Sequence, residues 1–107
     1  MGTGSKPSIL ILVEDDPNDF MLLKRALWQV GASVRVWWAK SSLEALQILD
    51  QVKSTGARVC MVADVRLPDI DGFELLKAVK ATPGTLDLKF AFLTGSVDER
   101  LKTRAQA

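Results

Sequence analysis

Histidine is absent from the chain and cysteine occurs once. Without histidine the commonest general base and the commonest metal ligand are both missing. Any metal must then be held by oxygens, which favours Mg²⁺, Mn²⁺ or Ca²⁺ over zinc. The lone Cys60 excludes an internal disulfide and suits a reducing compartment. Lying in an apolar stretch, it reads as a small buried hydrophobe and not as a reactive thiol. Neither sign of charge prevails: Lys and Arg number 14 against 13 Asp and Glu, a net +1. That leaves no basic footprint for nucleic acid. No apolar run approaches the length of a membrane span, and the opening residues lack the apolar core of a signal peptide. The early glycines precede the first strand instead of following it, so they are no phosphate-cradling loop. Residues 1–7 read as a disordered leader, and the remainder as a cytoplasmic chain with no membrane or nucleic-acid partner.

What is present fits one small globular domain: 107 residues, 48% hydrophobic and 25% charged. Residues 8–13 form an unbroken, branched apolar run, the mark of a strand buried on both faces. It ends in Glu14-Asp15-Asp16, with Asp16 placed as N-cap and Pro17 at the first helical position. Phe20, Leu23, Leu27 and Val30 stripe the helix that follows, Met21 and Trp28 make a smaller strip beside it, and Gly31 stops it. Residues 34–39 read as an edge strand, because Arg35 and Trp37 share its second face. Ser41 and Glu44 make a capping box for a helix with Ala45, Leu46, Ile48, Leu49 and Val52 on one face. Ser54-Thr55-Gly56 closes it. Residues 59–64 are a third strand. Asp71 then caps a helix carrying Gly72, Leu75, Leu76 and Val79, ended by Thr82-Pro83-Gly84. Residues 89–94 give a fourth strand with an interior profile, followed by Gly95, a Ser96–Glu99 capping box and a last helical stripe. Four strand–helix units with short connections demand parallel pairing, right-handed crossovers and helices on both faces.

Ligands of such sheets sit at the carboxyl ends of the strands. Asp15 and Asp16 stand there after the first strand, Asp64 after the third and Thr94 after the fourth. Carboxylates gathered in one place do not all ionise comfortably without a cation, and a hard divalent ion is the natural counter-charge. A carboxylate can also attack phosphorus to give an aspartyl phosphate. Phosphoryl transfer mainly needs positioning and neutralised equatorial oxygens. Asp64, ending the central strand, is the best nucleophile. Asp15 and Asp16 read as metal holders and Thr94 as a hydroxyl donor, with Gly95 keeping the approach open. Taken singly, Asp15 and Asp16 also make sense as helix-cap acids, and Thr94 as a strand-end residue bonded to nearby backbone.

The segments Val-Glu-Asp-Asp (13–16), Asp-Val-Arg-Leu-Pro-Asp-Ile-Asp-Gly (64–72) and Leu-Thr-Gly (93–95) resemble the receiver domain of bacterial two-component response regulators, over residues 8–107. Residues 13–19 are similar to the stand-alone regulators paired with phytochrome-type kinases. The resemblance implies a CheY-like, flavodoxin-like three-layer α/β/α fold with a parallel sheet. It is truncated here to four βα units in the order 2-1-3-4. It implies that Asp64 accepts phosphate from a sensor histidine kinase or phosphotransfer protein. Asp16, Asp64 and the carbonyl of Arg66 would bind Mg²⁺, or Mn²⁺ in its place, with Asp15 helping through water. Thr94 would be the switch hydroxyl, and Pro68 and Gly72 would shape the loop. The family's fifth strand, with its lysine and aromatic, and its fifth helix have no counterpart in these residues. Lys102 lies on a helix and does not replace the lysine. The bare edge this leaves on the fourth strand predicts self-association, through that strand or the first helix, unless the chain is a fragment or truncated product, a reading that ranks above a naturally minimal domain. The alternative is a degenerate receiver that only binds partners. An aspartyl-phosphate phosphatase ranks last, because Arg66 stands where its second acid belongs. A flavin protein of similar fold would need a hydroxyl-rich loop where this chain has acids.

Overall fold

In the computed structural model the apolar runs become the strands of a single sheet. The structure describes residues 8–31, 33–85 and 87–93. In order these form β1 (Ser8–Val13), α1 (Pro17–Gln29), β2 (Arg35–Ala39) and α2 (Ser42–Val52). A 3₁₀ turn (Lys53–Thr55), β3 (Arg58–Asp64), α3 (Gly72–Lys80) and β4 (Lys89–Leu93) follow. The strands lie in the order β2-β1-β3-β4, every neighbour pair parallel. This is the flavodoxin-like 2-1-3-4 arrangement, with β2 at an edge as its mixed second face implies.

Side chains alternate across the sheet. Ile9, Ile11, Val13, Met61 and Ala63 point to the side covered by α2 and α3, where they meet Leu49, Val52, Leu75 and Val79. Leu10 and Leu12 point to the opposite side and meet Phe20, with Leu23, Leu27, Val36, Trp38 and Val62 packed around them. The two faces are covered unequally. Helices α2 and α3 bury eight residues between them, whereas α1 buries Phe20 alone. Phe20 lies flat on Trp38, with ring centroids 4.3 Å apart, and the Trp38 indole N–H donates to the Glu14 carbonyl at 2.7 Å. Cys60 faces this side half-buried; burial pushes its thiol up, and the nearby Lys89 ammonium offsets part of that.

The caps fall where local chemistry placed them. Asp16 accepts from the Asn18 N–H, Ser41 from the Glu44 N–H and Asp71 from the Glu74 N–H. Gly31 and Gly56 take positive φ at the ends of their helical segments, as the missing Cβ allows. Four expectations shift. β2 starts at Arg35, one residue late, and β3 at Arg58, one early. Val30, expected on the buried stripe, is 77% exposed, because α1 has ended and the chain turns away at this C-cap. The fourth strand shows less burial than its apolar sequence suggested: no β4 residue is buried, and β3 is its one strand neighbour among the described residues. The leader (1–7), Thr94, Gly95 and the last helical stripe lie outside the described residues.

The unequal faces predict unequal mutational costs. Leu49→Ala, at a site 1% exposed, should cost about 2–5 kcal/mol. Trp28→Ala, at 83% exposure, should stay within about 0.5 kcal/mol. Urea midpoints at unchanged m-value test both.

Candidate functional site

The carboxyl edge of the sheet gathers the acids at two adjacent strand ends. β1 is buried from Ile9 to Val13, and the ladder runs one residue further, the Glu14 N–H donating to the Ala39 carbonyl at 2.9 Å. Glu14 is 1% exposed, and its Oε2 accepts the Asp16 N–H at 3.3 Å. Asp15 is exposed. Asp16, also exposed, holds the Asn18 N–H on Oδ1 at 2.8 Å and so caps α1. Negative charge at a helix N-terminus is favourable, which accounts for Asp16 whatever else it does.

β3 ends on Asp64, 8% exposed, in a strand flanked by β1 and β4. Its Oδ1 accepts the Arg66 N–H at 3.1 Å. The register pairs Val13 with Ala63, so Glu14 follows β1 at the level where Asp64 ends β3. Both continue the even-numbered side of their strands, Leu10–Leu12 and Cys60–Val62. The loop after Asp64 folds straight back. The Val65 N–H donates to Leu93, and the Gly72 N–H to the Val65 carbonyl, at 3.0 and 2.9 Å. Gly72 is a close-approach glycine: a Cβ there would lie 2.8 Å from the Asp64 carbonyl oxygen and 3.1 Å from Val65 Cα. α3 thus begins in contact with the strand end that carries the acid.

Further along the same loop, Asp69 spans the first two N–H groups of α2. Oδ1 accepts from Ser42 at 2.9 Å and Oδ2 from Leu43 at 2.8 Å. The buried Ser42 hydroxyl returns a bond to the Ile70 carbonyl at 2.7 Å. Slight burial pushes the Asp69 carboxyl up, but the N–H groups of Leu43, Ser42, Ile70 and Asp69 itself outweigh it. They hold the carboxyl below the usual carboxylate range.

Of the expected site residues, the structure brings Asp15, Asp16 and Asp64 to one edge and Arg66 and Pro68 into the adjoining loop, both exposed. Gly72 is buried against that edge. Thr94 and Gly95 lie outside the described residues. Sequence reasoning passed over Glu14 and Asp69. Carrying the two-residue alternation one step past Val13 would have marked Glu14; nothing local marks Asp69. Among the described residues no three acidic, histidine or cysteine side chains are grouped to hold a metal ion. An all-protein Ca²⁺ cage does not fit that arrangement. Mg²⁺ does, since it keeps most of its waters and takes one or two carboxylates, and the donors present are all hard oxygens.

A family model for the response regulator receiver domain matches residues 10–107. The chain is 30% identical over 95 residues to the probable methanogenesis regulatory protein FilR2 of Methanothrix harundinacea. That match covers 87% of this chain and 61% of that protein. It is 34% identical over 96 residues to the sensor kinase CckA of Brucella abortus, covering 89% of this chain and 9% of that one. The chain therefore spans about three fifths or less of these curated relatives. Among solved structures, the bacteriophytochrome response regulator AtBRR superposes with a TM-score of 0.72 at 28% identity, over 95% of this chain and 76% of that one. The phosphorylated cyanobacterial phytochrome response regulator RcpA gives 0.71 at 25% identity, over 95% and 74%.

Two outcomes follow from the geometry. Gly72→Ala must push α3 off the end of β3, a backbone clash expected to cost about 1–3 kcal/mol in a urea titration. The second concerns Asp69. A carboxyl held low in the fold adds stability that is in place above its unfolded value of about 3.9. That stability is lost as pH falls through the lower folded value. Asp69→Asn should be less stable than the parent chain at neutral pH, and the gap should narrow between about pH 5 and pH 3. Urea midpoints at matched pH show whether it does.

Proposed function

The chain belongs to the response regulator receiver family, and from that membership we propose that it is the phosphoacceptor module of a two-component phosphorelay. Asp64 is the acceptor. One observation carries this reading: Asp64 is the buried carboxylate at the end of the central strand, with one oxygen already fixed by the Arg66 N–H. In the reaction an Asp64 oxygen attacks the phosphorus of a phosphohistidine on a sensor kinase or phosphotransfer protein. A new O–P bond forms, the P–N bond breaks, and the imidazole keeps the electron pair and takes up a proton.

The chain's part is to orient Asp64 and to surround the incoming group with suitable donors. Asp16, Asp64 and the Arg66 carbonyl would hold Mg²⁺, with Asp15 helping through water and Asp16 using the oxygen not engaged in capping. Bound there, the ion would neutralise charge on the equatorial phosphoryl oxygens. Thr94 would contact the phosphoryl group through its hydroxyl, with Gly95 leaving room for it. Pro68 stiffens the loop because its φ is fixed. The module is a switch and not an enzyme, beyond loss of its own phosphoryl group. Its setting would be the cytoplasm; among the described residues no helix is long and apolar enough to cross a membrane.

A second reading, a binding module without productive switching, draws on α1, where Met21, Leu22 and Trp28 are exposed. The same strip, or the outer edge of β4, would serve self-association. One experiment separates the readings. Incubated with a small acyl-phosphate donor and Mg²⁺, the chain should gain a single base-labile phosphoryl group by intact mass. Asp64→Asn, or removal of the metal with EDTA, should abolish it. An unmodified parent chain would favour the binding module.

A further inference from the structure

The carboxylate of Asp69 sits on a helix 26 and 27 positions away in sequence. Helix α2 begins with four N–H groups that have no partner within the helix, and the partners of those at Ser42, Leu43 and Glu44 are known. Glu44 donates to the Ser41 hydroxyl, and Asp69 takes both others. The local capping box therefore covers only part of this terminus, and a residue of the Asp64 loop covers the rest. The contact is built from three bonds, two accepted by Asp69 and one donated by the Ser42 hydroxyl to the Ile70 carbonyl. The hydroxyl lies on a residue with no exposure at all.

At its other end the loop is fixed by the Arg66 N–H on Asp64 and by the Val65 and Gly72 backbone bonds. Between the two anchors lie Leu67, packed against the core, and Pro68. Proline fixes its own φ and keeps the residue before it extended. With both ends tied and the middle stiff, the path of Arg66 is set by where Asp69 is held.

We propose that Asp69 is a positioning residue for the Asp64 site. Clasping the N-terminus of α2, it holds the loop so that the Arg66 N–H stays on the Asp64 carboxylate and the Arg66 carbonyl stays where Mg²⁺ is to bind. The clasp stands on the hydrogen bonds alone; its effect on metal binding rests on the phosphoacceptor reading above. Outer partners that orient a metal's ligands affect affinity strongly when removed, by roughly 10- to 100-fold.

The test compares the full chain with Asp69→Ala and Asp69→Asn, the latter keeping one oxygen acceptor. Amide hydrogen exchange is followed at Arg66, with Leu75 in the core as the control for folding. The Mg²⁺ concentration giving half-maximal labelling by an acyl-phosphate donor is measured in parallel. Asp69→Ala should lose protection at Arg66 while Leu75 keeps it, and should need about 10-fold more Mg²⁺ or beyond. Asp69→Asn should recover part of both. If Asp69→Ala disturbs Leu75, Asp69→Asn alone decides: partial loss at Arg66 supports the clasp, and parent-like protection overturns it. Parent-like protection and Mg²⁺ dependence in both variants also overturn it. A parent chain that takes no phosphoryl group, while Asp69→Ala still frees Arg66, sinks the phosphoacceptor reading and leaves the clasp standing.

Discussion

A carboxylate at the end of the central strand is the constraint to which the surrounding structure answers. Burying a charge is costly unless polar groups meet it, and Asp64 is nearly buried in a sheet whose neighbouring strands are apolar. The backbone supplies part of the answer by turning at once, so that the Arg66 N–H comes back to the side chain. That turn requires α3 to start in contact with the strand end, and only a residue without a Cβ allows it. Gly72 and Asp64 are therefore one feature seen from two elements.

The sheet around this point is asymmetric. On the side of α2 and α3 the strands are sealed by a continuous apolar cluster. On the side of α1 the cluster is smaller and is held in part by one ring stack, Phe20 on Trp38. Asp64 and Glu14 follow the even-numbered positions, which face the α1 side. The charged groups thus stand on the side of the less heavily packed layer, yet both are buried. The rigid layer supports the acids from behind. Apolar burial is non-directional, so this division comes from the strand alternation and from which helices cover which face.

Much of the fold was legible because its signals are local. A branched apolar run makes a buried strand, Asp16-Pro17 starts a helix, and Ser41 and Asp71 cap one. Each works through groups within four residues, and the structure uses all three as the sequence suggests. Val30 failed for the same reason: its spacing obeyed the helical period, but the period ceases to matter where the helix ends. The site was legible at Asp64, whose charge interrupts an apolar run. Glu14 was less visible, because the acidic triplet by itself does not say which acid turns inward; only the strand alternation carried past Val13 does. Asp69 carries no local sign at all. Its partners lie more than two dozen residues earlier in the chain, and only the parallel stacking of β1 between β2 and β3 brings α2 to that loop.

Long-range capping of this kind changes what the loop is. Loops are ordinarily the mobile and variable parts of a domain, and they carry function because a rigid scaffold positions them. Here the scaffold does more than present the ends. The segment after Asp64 is bonded to β4 through Val65, to its own strand end through Arg66, back on itself from Gly72 to Val65, and to α2 through Asp69 and Ile70. Three separate elements thus share control of seven residues. A change of charge at Asp64 bears first on the Arg66 N–H that its carboxylate holds. That residue belongs to a segment tied to β4 by a backbone bond and to α2 by a charged side chain.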